Sequence, residues 1–119
     1  MTRLFLRLFL DGLMLGPGKI ELLEHIRDLG SIAAAGRAMG MSYKRAWSLV
    51  EEMNAGLADP VVTSARGGAG GGGARVTEAG EAIIRHYHGL MQKAHEAGAD
   101  DIAALNAMLA PRSDMSEGK

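Results

Sequence analysis

The chain has 119 residues, with 13 lysines and arginines against 14 aspartates and glutamates, and no cysteine. This length fits one domain with a modest core. The lack of cysteine excludes disulfide scaffolds, cysteine zinc sites and thiol catalysis. Arg7 and Asp11 interrupt the first apolar run, and no window approaches the roughly 20 apolar residues of a membrane span. We therefore expect an unprocessed cytoplasmic protein with no membrane partner.

The first predicted element is a small hairpin. Leucines alternate with other residues from Leu4 to Leu10, a period of two that is typical of a strand. Asp11 and Gly12 then form a favoured type I′ turn pair, which leads into a second short apolar run.

A first helix is predicted next, beginning at Pro17 and ending at Gly30. Proline suits the first turn of a helix, and glycine suits the position just after its end. The apolar residues between them recur at helical spacing and define one apolar stripe. These residues are Ile20, Leu23, Ile26 and Leu29.

Two further helices follow in close order. Ser31 is a good N-cap for a short helix over residues 32 to 39, with the small Ala34 and Ala35 allowing close approach, and Ser42 caps a helix to about Asn54. This spacing predicts a helix-turn-helix, although a plain three-helix bundle has the same local signals.

The last of these helices has the pattern of a recognition helix. Winding it at about 100° per residue directs Ala46, Leu49, Val50 and Met53 to the core and leaves polar side chains on the outer side. Its first-turn amides and dipole favour a phosphate. Its largest apolar side chain either stacks on DNA or packs against neighbouring helices, and we favour partial packing. The predicted DNA contacts are Ser42, Tyr43, Lys44, Arg45, Trp47 and Ser48.

A predicted wing follows over residues 60 to 77. Two short β-rich runs flank a glycine-rich segment, with Arg66 before the glycines and Arg75 after them. Glycines let backbone amides approach phosphates, and the arginines suit the backbone or a narrow minor groove. A disordered linker is the alternative. The predicted wing-tip residues are Gly67, Gly68, Gly70, Gly71, Gly72 and Gly73.

A long helix over residues 78 to 97 carries more apolar surface than one small domain covers. A short helix within 99 to 111, capped by Asp100 or Asp101, and a disordered tail over 112 to 119 complete the chain. Packing of the long helix against the first helix is one alternative, and we favour antiparallel pairing with a second copy. The predicted dimer contacts are Ile83, Tyr87, Leu90, Ala94, Ile102 and Leu105.

Charge and side-chain chemistry limit the classes of function that this chain can have. Residues 31 to 77 carry five basic and three acidic groups, a small positive excess that weakly favours a nucleic-acid face. No motif places an acid beside a serine and a histidine, so we expect no enzyme. His86, His88 and His95 are expected to lie on the surface and to hold no metal.

Six motifs together resemble one known family. They are Gly16-Pro-Gly-Lys-Ile, Gly30-Ser-Ile, Ser42-Tyr-Lys-Arg-Ala-Trp, Glu52-Met-Asn, the Gly-Gly-x-Gly-Gly-Gly-Gly run that begins at Gly67, and Val76-Thr-Glu-Ala-Gly. Over roughly residues 4 to 94, the chain resembles the N-terminal winged-helix domain of ModE-type molybdate-responsive transcriptional regulators. The Thr-x-x-Gly of the last motif is shared with LysR-type regulators.

The resemblance implies a mainly α fold with a small β wing: a winged helix-turn-helix over residues 1 to 98, with a long C-terminal dimerisation helix. It also implies a homodimer that binds duplex DNA at an inverted-repeat operator and regulates molybdenum-related genes. The family's molybdate-binding domains follow this segment, and we expect none here. We therefore expect no cofactor, and a signal from a separate effector-sensing protein. The alternative is a protein-interaction module that docks a partner regulator without binding DNA.

Overall fold

The computed structural model describes residues 2–65 and 73–111, and within them five helices and two small antiparallel sheets. The elements are β1 (Leu8–Leu10), β2 (Leu13–Leu15), α1 (Pro17–Leu29), α2 (Ile32–Ala38), α3 (Tyr43–Gly56), β3 (Val62–Ala65), β4 (Gly73–Val76), α4 (Glu78–Ala97) and α5 (Ala99–Ala107). The predicted fold class is confirmed.

The first hairpin pairs β1 with β2 and is shorter than the leucine alternation indicates. Leu8 lies opposite Leu15, and Gly12 turns the chain with a φ of 86°. The turn is not the predicted type I′, because that type needs a positive φ at both central residues and Asp11 does not have one. The preceding residues leave the ladder because the Leu6 carbonyl accepts a hydrogen bond from the Tyr87 hydroxyl at 2.6 Å. The N-terminal segment therefore packs on α4.

The helix ends follow the predicted signals. Gly30 has a φ of 71°, and its N–H donates to the Ile26 carbonyl at 2.8 Å, closing α1. The Ser31 hydroxyl oxygen accepts from the Ala34 N–H at 3.0 Å, and that of Ser42 accepts from the Arg45 N–H at 3.0 Å. These caps satisfy first-turn amides that have no partner inside the helix.

The core lies where α1 meets α2, α3 and the base of the wing. Leu22, Leu23 and Ile26 of α1 are fully buried, as are Met53 of α3 and Val61 ahead of β3. The predicted inner side of α3 is correct, since all four residues assigned to it are buried.

The close approach of α2 and α3 occurs at a residue that the sequence did not indicate. A Cβ added to Gly36 would lie 3.1 Å from the Cβ of Ala46 and 3.4 Å from two backbone oxygens. Ala35 is buried beside it, whereas Ala34 is only half-buried. A larger residue at this position would therefore force α2 and α3 apart by a few tenths of an ångström, so Gly36 marks the tightest point of the helix-turn-helix.

The wing is an antiparallel pair in which Val62 lies opposite Val76 and Ala65 lies opposite Gly73. The Thr77 N–H donates to the Val61 carbonyl at 3.0 Å and its hydroxyl donates to the Pro60 carbonyl at 2.7 Å. These bonds close the base of the wing against the start of α4.

Ionic contacts hold α4 against α1. The His88 Nε2 lies 2.7 Å from the Glu24 Oε2, and an Arg27 nitrogen lies 3.5 Å from the Glu81 Oε1. A side-chain hydrogen bond to Asp28 raises the pKa of Arg27.

The short last helix begins differently from the prediction. Gly98 is its N-cap residue and makes no side-chain cap, while Asp100 and Asp101 lie inside its first turn, where the helix dipole favours acidic groups. None of the helices in residues 2–65 and 73–111 is long and apolar enough to cross a membrane.

Candidate nucleic-acid interface

The N-terminal half of α3 presents its predicted contact residues together. Lys44, Arg45 and Ser48 are exposed, and with Ser42 they line one shallow cleft of about 300 Å³. The Ser42 oxygen is already the cap acceptor, so its own O–H is the group free to donate to a phosphate. Two cations and two hydroxyls are thus displayed over one and a half helical turns.

A second cleft separates α3 from the wing. Tyr43 and Trp47, 56% and 46% exposed, line it from the helix side, while Thr63 and Ser64 line it from β3. Trp47 is half-exposed and lies beside the buried Val50, an arrangement that agrees with the partial packing favoured from sequence. Ser31, at the start of α2, completes the polar rim.

The wing residues divide between described and undescribed positions. Arg75 is exposed in the middle of β4, opposite Thr63. Gly73, predicted at the wing tip, instead lies in β4, because its extended backbone pairs with Ala65. The remaining predicted residues lie outside the described part of the chain: Arg66, Gly67, Gly68, Gly70, Gly71 and Gly72.

The side chain of Asn54 joins α3 to the wing. Its Nδ2 donates to the Val62 carbonyl at 3.1 Å, and its Oδ1 accepts from the Val61 N–H at 2.8 Å. From the sequence, Asn54 marks the end of a helix and belongs to the Glu52-Met-Asn motif of the resemblance, but neither observation predicts these hydrogen bonds. The local signal is an amide one residue beyond the last core position of α3.

A buried lysine compensates one of the two acidic residues of α3. The Lys19 ammonium, on a residue only 6% exposed, lies 2.9 Å from the Glu52 Oε1 and donates to the Met14 carbonyl at 2.8 Å. Glu52 therefore faces α1 and the first hairpin, whereas Glu51 borders the cleft beside the wing. The sequence analysis did not identify this pair.

The structure separates the predicted dimer residues into two groups. Tyr87 is 6% exposed and Ile83 is half-buried against the core, so neither belongs to an exposed stripe. The expectation for Tyr87 fails because the N-terminal segment covers it through the Leu6 hydrogen bond. Leu90 and Leu105 are exposed, and Ala94 and Ile102 are half-buried.

The histidines of α4 take part in no metal cluster within the described residues. His86, His88 and His95 are exposed, and His88 pairs with Glu24. Across residues 2–65 and 73–111, no group of three or more histidine, aspartate or glutamate side chains is arranged to hold a metal.

A helix-turn-helix followed by a two-stranded wing defines the class: this is a winged helix-turn-helix domain. Solved structures agree. The CbnR DNA-binding domain in complex with DNA superposes with a TM-score of 0.57 at 18% identity, covering 74% of this chain and 95% of that one. Full-length LysG, an LTTR from Corynebacterium glutamicum with bound effector Arg, gives a TM-score of 0.55 at 21% identity, covering 79% and 30%. At these identities the likeness establishes the fold.

Sequence relatives agree with the resemblance that the motifs indicate. The chain is 40% identical to the transcriptional regulator ModE of Yersinia pestis over 113 residues, 92% of this chain and 41% of that protein. It is 42% identical to the DNA-binding transcriptional dual regulator ModE of Escherichia coli K12 over 104 residues, 84% and 40%. The molybdenum-pterin-binding protein MopB of Rhodobacter capsulatus is 51% identical over 76 residues, 64% and 28%.

The chain is thus homologous to the N-terminal part of ModE-type regulators, and the predicted resemblance is confirmed. It spans about two fifths of the length of the ModE proteins that it matches. No protein-family model matches it. The regulators among these relatives agree with the prediction that the chain is not an enzyme.

Proposed function

We propose that this chain binds specific duplex DNA as a homodimer and regulates the transcription of molybdenum-related genes. One observation carries the proposal: α3 displays Lys44, Arg45 and Ser48 on its exposed side, while Tyr43 and Trp47 of the same helix border a separate cleft that the wing closes. A helix of this kind fits the major groove, which is wide enough for an α-helix and carries a distinct pattern of donors and acceptors for each base pair.

Each contact residue has a role in this proposal. Lys44, Arg45 and Ser48 read base edges or adjacent phosphates, and Ser42 and Tyr43 fix the start of α3 on the backbone. Trp47 packs partly against the domain and places its exposed edge near a sugar of the DNA. Arg75, together with Arg66 and the glycines of the wing tip, holds the neighbouring backbone or minor groove.

The homodimer forms through the outer surface of α4 and α5. Leu90 and Ala94 lie on α4, and Ile102 and Leu105 lie on α5. The described chain is elongated, 58 × 35 × 21 Å, which leaves these helices with apolar side chains in solvent. A two-fold pairing through them sets two recognition helices about 34 Å apart or a multiple of it, so the operator is an inverted repeat.

The proposal includes no cofactor, and a separate effector-sensing protein supplies the regulatory signal. The name of the Rhodobacter capsulatus relative, molybdenum-pterin-binding protein MopB, supports molybdenum-related genes as the targets.

Fluorescence anisotropy over a salt series tests the proposal, with the promoter of a molybdenum-related gene and a random duplex as probes. Binding to the promoter at least about 10³ times tighter than to random DNA supports a sequence-specific regulator. A log-log salt slope of several units is expected from released counterions. Equal, weak binding to both probes contradicts the proposal and favours a protein-interaction module.

A further inference from the structure

We infer that Asn54 is a positioning residue that sets the wing relative to the recognition helix, so that both contact one DNA duplex together. The inference rests on the proposed function and adds a residue to that interface. Its basis is the two-pronged hydrogen bond from one side chain of α3 to two consecutive backbone groups at the start of β3.

The partners fix the orientation of the amide. The Val61 N–H can only donate and the Val62 carbonyl can only accept, so the Asn54 oxygen faces the first and its nitrogen the second. Val61 is fully buried and Val62 nearly so, which leaves water little access to these two backbone groups. Leaving a buried backbone N–H or C=O unpaired costs free energy. The Asn54 amide therefore keeps β3 at one position relative to α3.

The other attachments of the wing lead to different elements. The Ala74 N–H of β4 donates to the Gly30 carbonyl at 3.0 Å, and Thr77 ties the base of the wing to the start of α4. Among the described residues, Asn54 supplies the side-chain hydrogen bonds between α3 and β3. Without it the wing keeps its attachments to α1 and α4 and its apolar contact with α3 through the core, but it loses the directional bonds that fix the position of β3 along the helix that carries Lys44.

The position of Asn54 suits this role. It lines the cleft between α3 and the wing together with Trp47 and Thr63. Thr63 lies directly opposite Arg75, so a shift of β3 relative to α3 moves the guanidinium of Arg75 relative to Lys44. If the distance between Arg75 and Lys44 changes, the two side chains cannot both contact the same DNA duplex at once.

A double-mutant cycle on DNA affinity tests the inference, with Asn54→Leu, which keeps the branched shape of the side chain without its hydrogen-bonding groups, and Arg75→Ala. We expect Arg75→Ala to weaken binding by about tenfold in the wild-type background, as for a lost phosphate contact. In the Asn54→Leu background it is expected to weaken binding by less than twofold. Losses that simply multiply overturn the inference. The fraction of active protein is measured by titration at high DNA concentration, so that partial unfolding does not imitate weak binding.

Two further variants test whether loss of stability alone explains the result of the cycle. Asn54→Ala repeats the cycle if the leucine variant folds poorly. Leu15→Val, a buried change on β2 away from the wing, is the control for general destabilisation and is expected to leave the full effect of Arg75→Ala. A loss of the Arg75 effect in Leu15→Val as well overturns the specific role of Asn54.

Hydrogen exchange of the free protein separates this inference from the proposed function. In Asn54→Leu, the amides of Val62–Ala65 and Gly73–Val76 are expected to exchange faster than in the wild type, while those of α1 keep their rates. Unchanged exchange in the wing overturns the inference even if the chain binds DNA. If the wild type binds no DNA, the proposed function fails, and the exchange data still decide whether Asn54 holds the wing.

Discussion

At the scale of single residues, the outer side of α3 carries the contacts that we propose for DNA specificity. Lys44 and Ser48 lie one turn apart and point away from the buried Ala46 and Val50. Neither Lys44 nor Ser48 is needed for the core, so their side chains are free to contact another molecule. Lys19 compensates Glu52 on the opposite flank, which reduces acidic repulsion of DNA near the end of the helix.

Replacing Lys44 with alanine tests base reading. If the ammonium donates to a base edge, Lys44→Ala weakens specific binding by about 1 to 3 kcal/mol and affects random DNA less. Anisotropy with operator and random duplexes measures both losses. Lys93→Ala, an exposed lysine on α4, is the control and is expected to change neither. An equal loss on both duplexes for Lys44→Ala excludes base reading.

Replacing Arg75 with alanine tests a different kind of contact. Arg75 is exposed on the wing, and a phosphate contact carries no sequence information. Arg75→Ala is therefore expected to weaken binding to all duplexes alike and to reduce the log-log salt slope by about one unit. An unchanged salt slope contradicts contact between this arginine and phosphate.

At the scale of elements, the start of α4 is fitted against the base of the wing. A Cβ added to Gly80 would lie 2.5 Å from the Val61 carbonyl oxygen and 2.5 Å from a methyl of Val76. Real Cβ atoms do not approach so closely, and the backbone oxygen cannot rotate away. The Thr-x-x-Gly pattern therefore has a packing reason, since Thr77 caps the helix and Gly80 lets it approach the wing.

Two glycine substitutions in α4 form a matched pair. Gly80→Ala is expected to lower the free energy of unfolding by about 1 to 3 kcal/mol through overpacking. Gly89→Ala has open space around its added methyl and is expected to raise it by about 0.4 to 1 kcal/mol. Urea unfolding followed by circular dichroism measures both. Equal effects from the two substitutions would contradict the close approach at Gly80.

At the scale of the whole molecule, the described chain leaves a large apolar surface on α4, α5 and the N-terminal segment. Leu105 is 65% exposed, Met108 and Leu109 are exposed beyond it, and Phe5 and Phe9 are exposed on the N-terminal side. Monomeric proteins seldom display so many large apolar side chains on neighbouring elements. The surface fits the proposed pairing with a second copy.

Leu105→Glu tests that pairing. A carboxylate in an apolar two-fold interface faces its own copy, so dimers are expected to dissociate into folded monomers. Sedimentation measures the mass, and circular dichroism checks that the helices remain. Leu29→Glu places the same charge at the exposed end of α1 and is the control, expected to leave the mass unchanged. A monomeric wild type, or a dimer that survives Leu105→Glu, contradicts this interface.

The sequence by itself determined the local structure of this protein. Serine caps, the Asp11-Gly12 turn and the spacing of apolar residues placed the first four helices to within a few residues of their observed ends. The inner side of α3 was predictable for the same reason, because helical periodicity depends only on neighbouring residues. The polar side that remains contains most of the candidate DNA contacts.

Only the tertiary structure decided which distant groups meet. Asn54 reaches Val61 and Val62 from another element, and Tyr87 bonds to Leu6 across 81 positions of the chain. The sequence therefore assigned Tyr87 to an exposed stripe that the N-terminal segment in fact covers. Local patterns indicate which side of a helix is apolar. Which segment covers that side depends on three-dimensional packing, and the periodicity of the sequence contains no information about it.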